Sequence, residues 1–301
     1  MITESSVWKA LQPTLDTLTT DDLEKKQLCI GKGKLVTVAH MKRGFVDDIE
    51  SAGTTLLQEV APGEAMPSED IIIGGTKRYL PRRMAKKVSI TEATLEDCQY
   101  DELLQPSKRL LASAYKTQDM DIASLIISST SVVGGYDSVV LASTAHVLVS
   151  GGTASNYLNN GAGMTPSVQA LIQASAMAAL LPDPNGLPGA VTMKSIVCPE
   201  IQRNLWKVIL GSSNLPGTNF NDLNVVKDMD LNLLAIKWLD AASTTQWGIH
   251  TDADNGFRML MRRGVKSKTW VDPDGEVAHH GVSYRMDCGH SNWRCWIQGA
   301  V

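Results

Sequence analysis

Nothing in these 301 residues approaches the roughly 20 consecutive apolar residues of a membrane-spanning helix; stretches such as "LNLLAIKWL" (Leu231–Leu239) stop far short of it. The opening "MITESSVWKALQ" lacks the basic start and apolar run of a secretory signal. An excess of positive charge is also missing. With 28 Lys and Arg against 32 Asp and Glu, the net charge of −4 provides no global basic field for nucleic acid. Cysteine is sparse: Cys29, Cys98, Cys198, Cys288 and Cys295 are odd in number and irregularly spaced. That excludes a disulfide framework and points to reduced, mostly buried thiols. No fixed-period repeat or low-complexity tract is present. "GGTASN" and "IGKGK" contain glycines but match neither a phosphate loop nor a dinucleotide fingerprint. No cofactor is expected.

What is present is charge in blocks. "KRYLPRRMAKK" (Lys77–Lys87) carries six cations, and "EATLEDCQYDE" (Glu92–Glu102) follows with five acids. "RMLMRRGVKSK" (Arg258–Lys268) adds five more cations. Adjacent blocks of opposite sign suit a chain that pairs with copies of itself; solvated faces are the alternative.

Residues 4–28 read as helical through Trp8, Leu11, Leu15, Leu18 and Leu23, with too little apolar surface for a core of their own. "GTTLLQEV" and "EDIIIGGTKRYL" read as strands around the loop tip "APGEAMPSE", a long two-stranded excursion. An isolated hairpin is marginal in water, so another chain is expected to support it. Leu110, Leu111, Ala114, Ile122, Leu125 and Ile126 mark a long helix, Gln105–Ser128, starting near Pro106. A second helix, Thr165–Leu181, has Thr165 as its cap, and "PEIQRNLWKVILGSS" predicts a third. "TMKSIVCP", "LNLLAIKWL", "TQWGIH", "KTWVD" and "GVSYRMDC" read as strands, with a hairpin turn at "DPDG" (Asp272–Gly275). Helices and strands mix without βαβ alternation, so the fold class is α+β with antiparallel sheet.

Two constellations could carry chemistry. Ser143 and His146 stand close together in "YDSVVLASTAHVLVSGGTASN" (Tyr136–Asn156), but no nucleophile elbow precedes a helix, so a structural role is the stronger reading. Cys288, His290 and Cys295 could contribute to a zinc site, with a fourth ligand from Cys29, Cys98 or His250. The spacing fits no common closed site, and small buried residues on a strand are the stronger reading. The acids of "TDADNG", "DPDG" and "NDLN" sit beside turn formers, and "DADNGFRMLMRR" lacks a calcium-loop pattern. No catalytic and no metal-binding residues are expected.

Taken in order, four pieces resemble the major capsid proteins of tailed bacteriophages, the Hong Kong 97 fold family. They are "YDSVVLASTAHVLVSGGTASN", "DPNGLPGAVTMKSIVCPEIQRNLWKVILGSS", "PGTNFNDLNVV", and the closing pair "TQWGIHTDADNGFRMLMRRG" and "GVSYRMDCGHSNWRCWIQG". The likeness spans roughly residues 78–301 and departs from the family pattern at Ala142, Val147 and Asn292.

The resemblance implies a Hong Kong 97-type α+β fold in four parts. Residues 1–45 would be an N-terminal arm and 46–90 an extended loop lying over a neighbouring subunit. Residues 91–163 and 245–301 would form a peripheral domain with a long spine helix, and 164–244 an axial domain. It implies a structural, non-enzymatic protein that assembles with itself as hexamers and pentamers into an icosahedral shell around double-stranded DNA. It also implies a separate scaffolding protein, a portal, and a cement or decoration protein. The DNA would be held only by non-specific proximity, and no membrane partner is implied. The protein would reside in the virion after assembly in the host cytoplasm. Because the chain starts at Met1, neither N-terminal proteolytic maturation nor a built-in scaffolding extension is expected. Inter-subunit contacts are expected between Lys77, Arg78, Arg82 and Arg83 and the acids Glu92, Glu96, Asp97, Asp101 and Glu102. An encapsulin-like compartment of the same fold and a metal-dependent enzyme are the alternatives.

Overall fold

The computed structural model describes residues 27–31, 33–36, 38–53, 56–91, 100–188, 191–215, 222–272 and 277–300. Residues 4–26 of the helix expected over 4–28, residues 273–275 of the turn expected at 272–275, Cys98, and Glu92, Glu96 and Asp97 lie outside the described residues. So do the side chains of Asp101 and Glu102.

The strands run β1 Val38–His40, β2 Val46–Ser51, β3 Ile73–Tyr79, β4 Arg82–Thr91, β5 Val133–Gly134, β6 Val139–Val140, β7 His146–Val147 and β8 Thr153–Ala154. They continue as β9 Met193–Pro199, β10 Asn232–Ile236, β11 Trp247–Thr251, β12 Phe257–Asp272, β13 Val277–His290 and β14 Trp296–Ala300. Helices α1 Tyr100–Ile127, α2 Val168–Leu180 and α3 Arg203–Gly211 are interspersed among them. This is the α+β class expected.

The chain divides into two compact units: residues 1–46, 80–122 and 259–288 form one, and 47–79, 123–258 and 289–301 the other. In the first, β1, β12, β13 and β4 make a four-stranded sheet in that order. β1 runs parallel to β12, with Val38 opposite Met259, and β13 runs antiparallel to β4, from Val277 opposite Thr91 to Met286 opposite Arg82. Leu110, Leu111, Ala114 and Tyr115 of α1 are buried, as the apolar stripe requires.

In the second unit, β10, β9, β11 and β14 form a mixed sheet: β10 is parallel to β9, and β11 is antiparallel to both β9 and β14. Its core gathers Leu171, Ile196, Trp206, Ile209, Trp247, Ile249, Trp293 and Ile297. Trp206 and Trp247 meet at 4.7 Å between ring centroids. α2 begins two residues later than expected; Ser167, rather than Thr165, accepts from the Ala170 amide at 3.1 Å. α1 begins several residues earlier than expected, with Pro106 inside its second turn. There an absent amide removes only one early hydrogen bond.

The excursion differs from the sequence reading. "GTTLLQEV" contributes no strand: the described residues 56–72 carry no regular strand or helix, and the partner of β3 is β2, upstream. β2 was hidden because its alternation is inverted. Asp48 and Glu50 face inward while Ile49 is exposed.

Candidate functional site

The inward carboxylates of β2 build a buried polar cluster inside the second unit. Asp48 receives Arg258 and, at 2.7 Å, the hydroxyl of Ser291, which also bonds the Tyr79 hydroxyl at 2.7 Å. Burial raises the Tyr79 phenol above its ordinary value, so it stays protonated. Glu50 accepts from Arg294 Nη1 at 3.1 Å, and Arg294 Nε donates to the Pro182 carbonyl at 2.6 Å. The guanidinium lies 4.5 Å from the Trp293 ring and is 2% exposed. Burial lowers the Arg294 pKa, with the Glu50 hydrogen bond opposing. Such pairs fix geometry more than they stabilise, because desolvation consumes most of the Coulomb gain.

β3 completes the stem. Arg78 makes a two-pronged ion pair with Asp47, at 2.6 and 2.7 Å. Gly75 passes so close to the chain that a Cβ there would lie 1.9 Å from the Tyr136 carbonyl oxygen. Only a bare backbone fits, which accounts for the glycine pair Gly74–Gly75 inside a strand.

The Ser143–His146 loop supports the same cluster. His146 is buried and stacked on Trp293, with ring centroids 4.1 Å apart and planes 2° from parallel. Its Nδ1 lies 2.5 Å from Asp137 Oδ2, and its Nε2 lies 3.2 Å from Asn156 Oδ1. Both ring nitrogens are thus engaged. The Ser143 hydroxyl instead accepts from the Ala145 amide at 3.1 Å, and the Ser143 amide donates to Asn156. Asn156 in turn donates to the carbonyls of Leu141, Trp293 and Trp296. The loop is a hydrogen-bonded connection with no serine–histidine dyad.

Among the described residues, no three His, Cys, Asp or Glu side chains converge to hold a metal ion. Cys288 is raised to about 12 by burial and by Asp121 and Asp287, and burial likewise keeps Cys295 protonated. His290 packs against Gly134, where a Cβ would lie 2.5 Å from its ring.

Above the stem, the loop is uncovered in the single chain. Leu57 is 101% exposed, Met66 88% and Ile71 70%. Residues 51–76 contain Glu59, Glu64, Glu69 and Asp70 and no lysine or arginine. The sequence-predicted contact residues fall in two places. Lys77 and Arg78 lie on β3, with Arg78 committed to Asp47. Arg82 and Arg83 lie on β4 in the other unit, where Arg82 is 4.0 Å from Asp287. The exposed apolar loop was legible in the sequence; the Asp48–Ser291–Tyr79 and Glu50–Arg294 links, which join residues more than 200 positions apart, were not.

No protein-family profile and no curated protein sequence matches the chain. Solved structures do. A structure described as the capsid of the cyanophage P-SCSP1u is similar over 88% of this chain and 85% of its own, with TM-score 0.59 and 12% identity. The capsid of a native GTA particle matches over 94% and 92%, with TM-score 0.55 and 12% identity. A Microbacterium phage Oxtober96 structure matches over 97% and 93%, with TM-score 0.53 and 11% identity. At such identities the fold is what is shared: this chain has the α+β fold of phage capsid subunits.

Proposed function

We propose that the chain is the major capsid protein of a tailed phage, a structural subunit that assembles with copies of itself. The observation that carries this reading is the loop of residues 56–72. It presents Leu57 and Met66 almost fully, and Ile71 largely, to solvent on a chain whose capsid-type fold extends over most of its length. Each such side chain gains about 1.5–3 kcal/mol when covered. A segment that exposes them while anchored on a buried polar stem is built to be covered by another molecule.

In this reading residues 1–45 form the arm, 46–90 the extended loop, 91–163 and 245–301 the peripheral domain and 164–244 the axial domain. Hexamers and pentamers close an icosahedral shell around double-stranded DNA. A scaffolding protein, a portal and a decoration protein act in trans, and assembly takes place in the host cytoplasm. Exposed apolar side chains on and before α3 (Ile201, Leu205, Val208) fit packing around the capsomer axis. The test is expression of the chain with its scaffold and imaging of the product. Rings, tubes or shells support the reading; a monomer under every condition rejects it, and co-purifying protein cargo in place of DNA would favour a cellular compartment.

A further inference from the structure

The two faces of the β1–β12–β13–β4 sheet differ in character. Met84, Val282 and Tyr284 border a gap beneath α1, together with Leu110, Ala114 and Thr117. Because side chains alternate along a strand, Gly281, Ser283 and Arg285 lie on the opposite face, beside their cross-strand partners Lys87, Ala85 and Arg83. There a cleft of about 370 Å³ is lined by Arg83, Lys87, Lys268, Trp270, Gly281 and Ser283, among others. Trp270 lies across β13 because Gly281 leaves room: a Cβ there would be 2.8 Å from the indole. The Lys87 ammonium sits 5.9 Å from the ring centroid, and the His279 ring packs beside it at 5.2 Å. Trp270 nonetheless remains 44% exposed.

Charge around the indole is nearly all of one sign. β4 carries Arg82, Arg83, Lys86 and Lys87 and no acid, while β12 carries five cations and the single acid Asp272. On β13 the one acid, Asp287, lies 4.0 Å from Arg82, beyond the cleft. Lysines on an edge strand also discourage pairing with another chain. That role asks nothing of Trp270, which stands on an interior strand with a glycine bed beneath it. A solvent-facing indole among ammonium and guanidinium groups offers the two contacts a nucleic acid uses: cations for phosphates and a ring for a base. We propose that this face binds the phosphate backbone of nucleic acid without sequence preference, with Lys87 and Lys268 on phosphates and an unpaired base stacked on Trp270. This goes beyond the capsid reading, in which DNA is held by proximity alone, and gives the subunit a defined nucleic-acid contact. An acidic polypeptide would also neutralise the cations, but its carboxylates offer nothing to the open ring face. With a net charge of −4 on the whole chain, the attraction is local and sensitive to salt.

The test uses the full chain and two labelled probes, an oligothymidylate of about 20 nucleotides and a DNA duplex of about the same length. Fluorescence anisotropy is expected to show the single strand bound more tightly than the duplex. Its affinity falls about tenfold or more between about 50 and about 200 mM salt. Lys87→Glu with Lys268→Glu weakens binding about tenfold or more and flattens the salt dependence. Trp270→Ala weakens the single strand about fivefold or more, keeps the wild-type salt dependence, and removes the quenching of tryptophan emission that the bound strand causes. That quenching reports on Trp270 because Trp206, Trp247, Trp293 and Trp296 are buried. The substituted side chains are exposed, so circular dichroism and Tm should stay near wild type. Trp270→Phe keeps a smaller platform and regains part of the affinity. No binding at about 50 mM salt, or single-strand affinity unchanged by the lysine pair or by Trp270→Ala, overturns the inference. Polyglutamate that displaces the strand and binds Trp270→Ala as well as wild type overturns it in favour of an acidic polypeptide. Loss of both probes in a chain that still assembles counts against this inference alone; a chain that binds the strand but never assembles counts against the capsid reading alone.

Discussion

His146 Nδ1 lies 2.5 Å from Asp137 Oδ2 inside the protein, and the other face of its environment is the parallel ring of Trp293 at 4.1 Å. Ser143, three residues earlier, turns its hydroxyl to the Ala145 amide instead. The two residues should therefore respond differently to removal. His146→Ala loses a buried hydrogen-bonded pair and a stacked ring and is expected to cost about 3 kcal/mol. Ser143→Ala loses one local hydrogen bond to a half-buried hydroxyl and should cost about 1 kcal/mol or less. Denaturant unfolding of both variants checks this; equal losses would contradict the geometry.

The stem of the loop depends on Gly75. Substitution by alanine places a methyl group against backbone at Tyr136, and backbone cannot rotate away as a side chain can. Gly75→Ala should destabilise by about 2 kcal/mol or more. Limited proteolysis within residues 56–72 should accelerate as β3 lifts.

The Glu50–Arg294 pair gives a third expectation. Glu50→Ala strands a guanidinium that is 2% exposed, with an expected loss of about 3–5 kcal/mol. Glu50→Leu together with Arg294→Met should recover most of it, because an apolar pair carries no desolvation cost. Recovery is measured by Tm against each single variant.

Acid should weaken the fold through histidine. Burial lowers His250 and His290 to about 4, with Lys194 and Lys77 respectively adding to the effect, against about 6.5 in the unfolded chain. Above pH 6.5 both states are neutral there and stability is at its full value. As pH falls from 6.5 towards 4 the unfolded chain takes up protons that the folded chain refuses, and stability is lost. Each histidine contributes on the order of 3 kcal/mol across that window. His290→Gln should flatten the dependence of unfolding free energy on pH between 4 and 6.5, and an unchanged slope would contradict the assignment.

Sequence patterns carried the parts of the fold that obey ordinary burial rules. Leu110, Leu111, Ala114 and Ile122 recur at helical spacing and lie buried on α1, and "TMKSIVCP" is the buried strand β9. β2 escaped because its hidden face is acidic: Asp48 and Glu50 are buried only because Arg258, Ser291 and Arg294, more than 200 residues away, come to meet them. No local pattern encodes that. "KTWVD" and "GVSYRMDC" were legible as strands, but their extension into β12 and β13 was not, since Arg262, Arg263, Lys266 and Lys268 interrupt the apolar alternation. The excursion was recognised from its turn formers and uncovered apolar residues; its strand partner was misplaced for the same inverted pattern in β2.

The most direct measurement is sedimentation and negative-stain imaging of the full chain beside a Leu57→Ser/Met66→Ser variant. Both side chains are almost fully exposed, so the variant should keep its Tm while its assembly falls at least tenfold. Wild-type rings, tubes or shells with a folded, largely monomeric variant is the predicted result. A wild-type chain that stays monomeric with its scaffold present, or a variant that assembles equally well, would contradict the central claim that this loop is made to be covered by another copy.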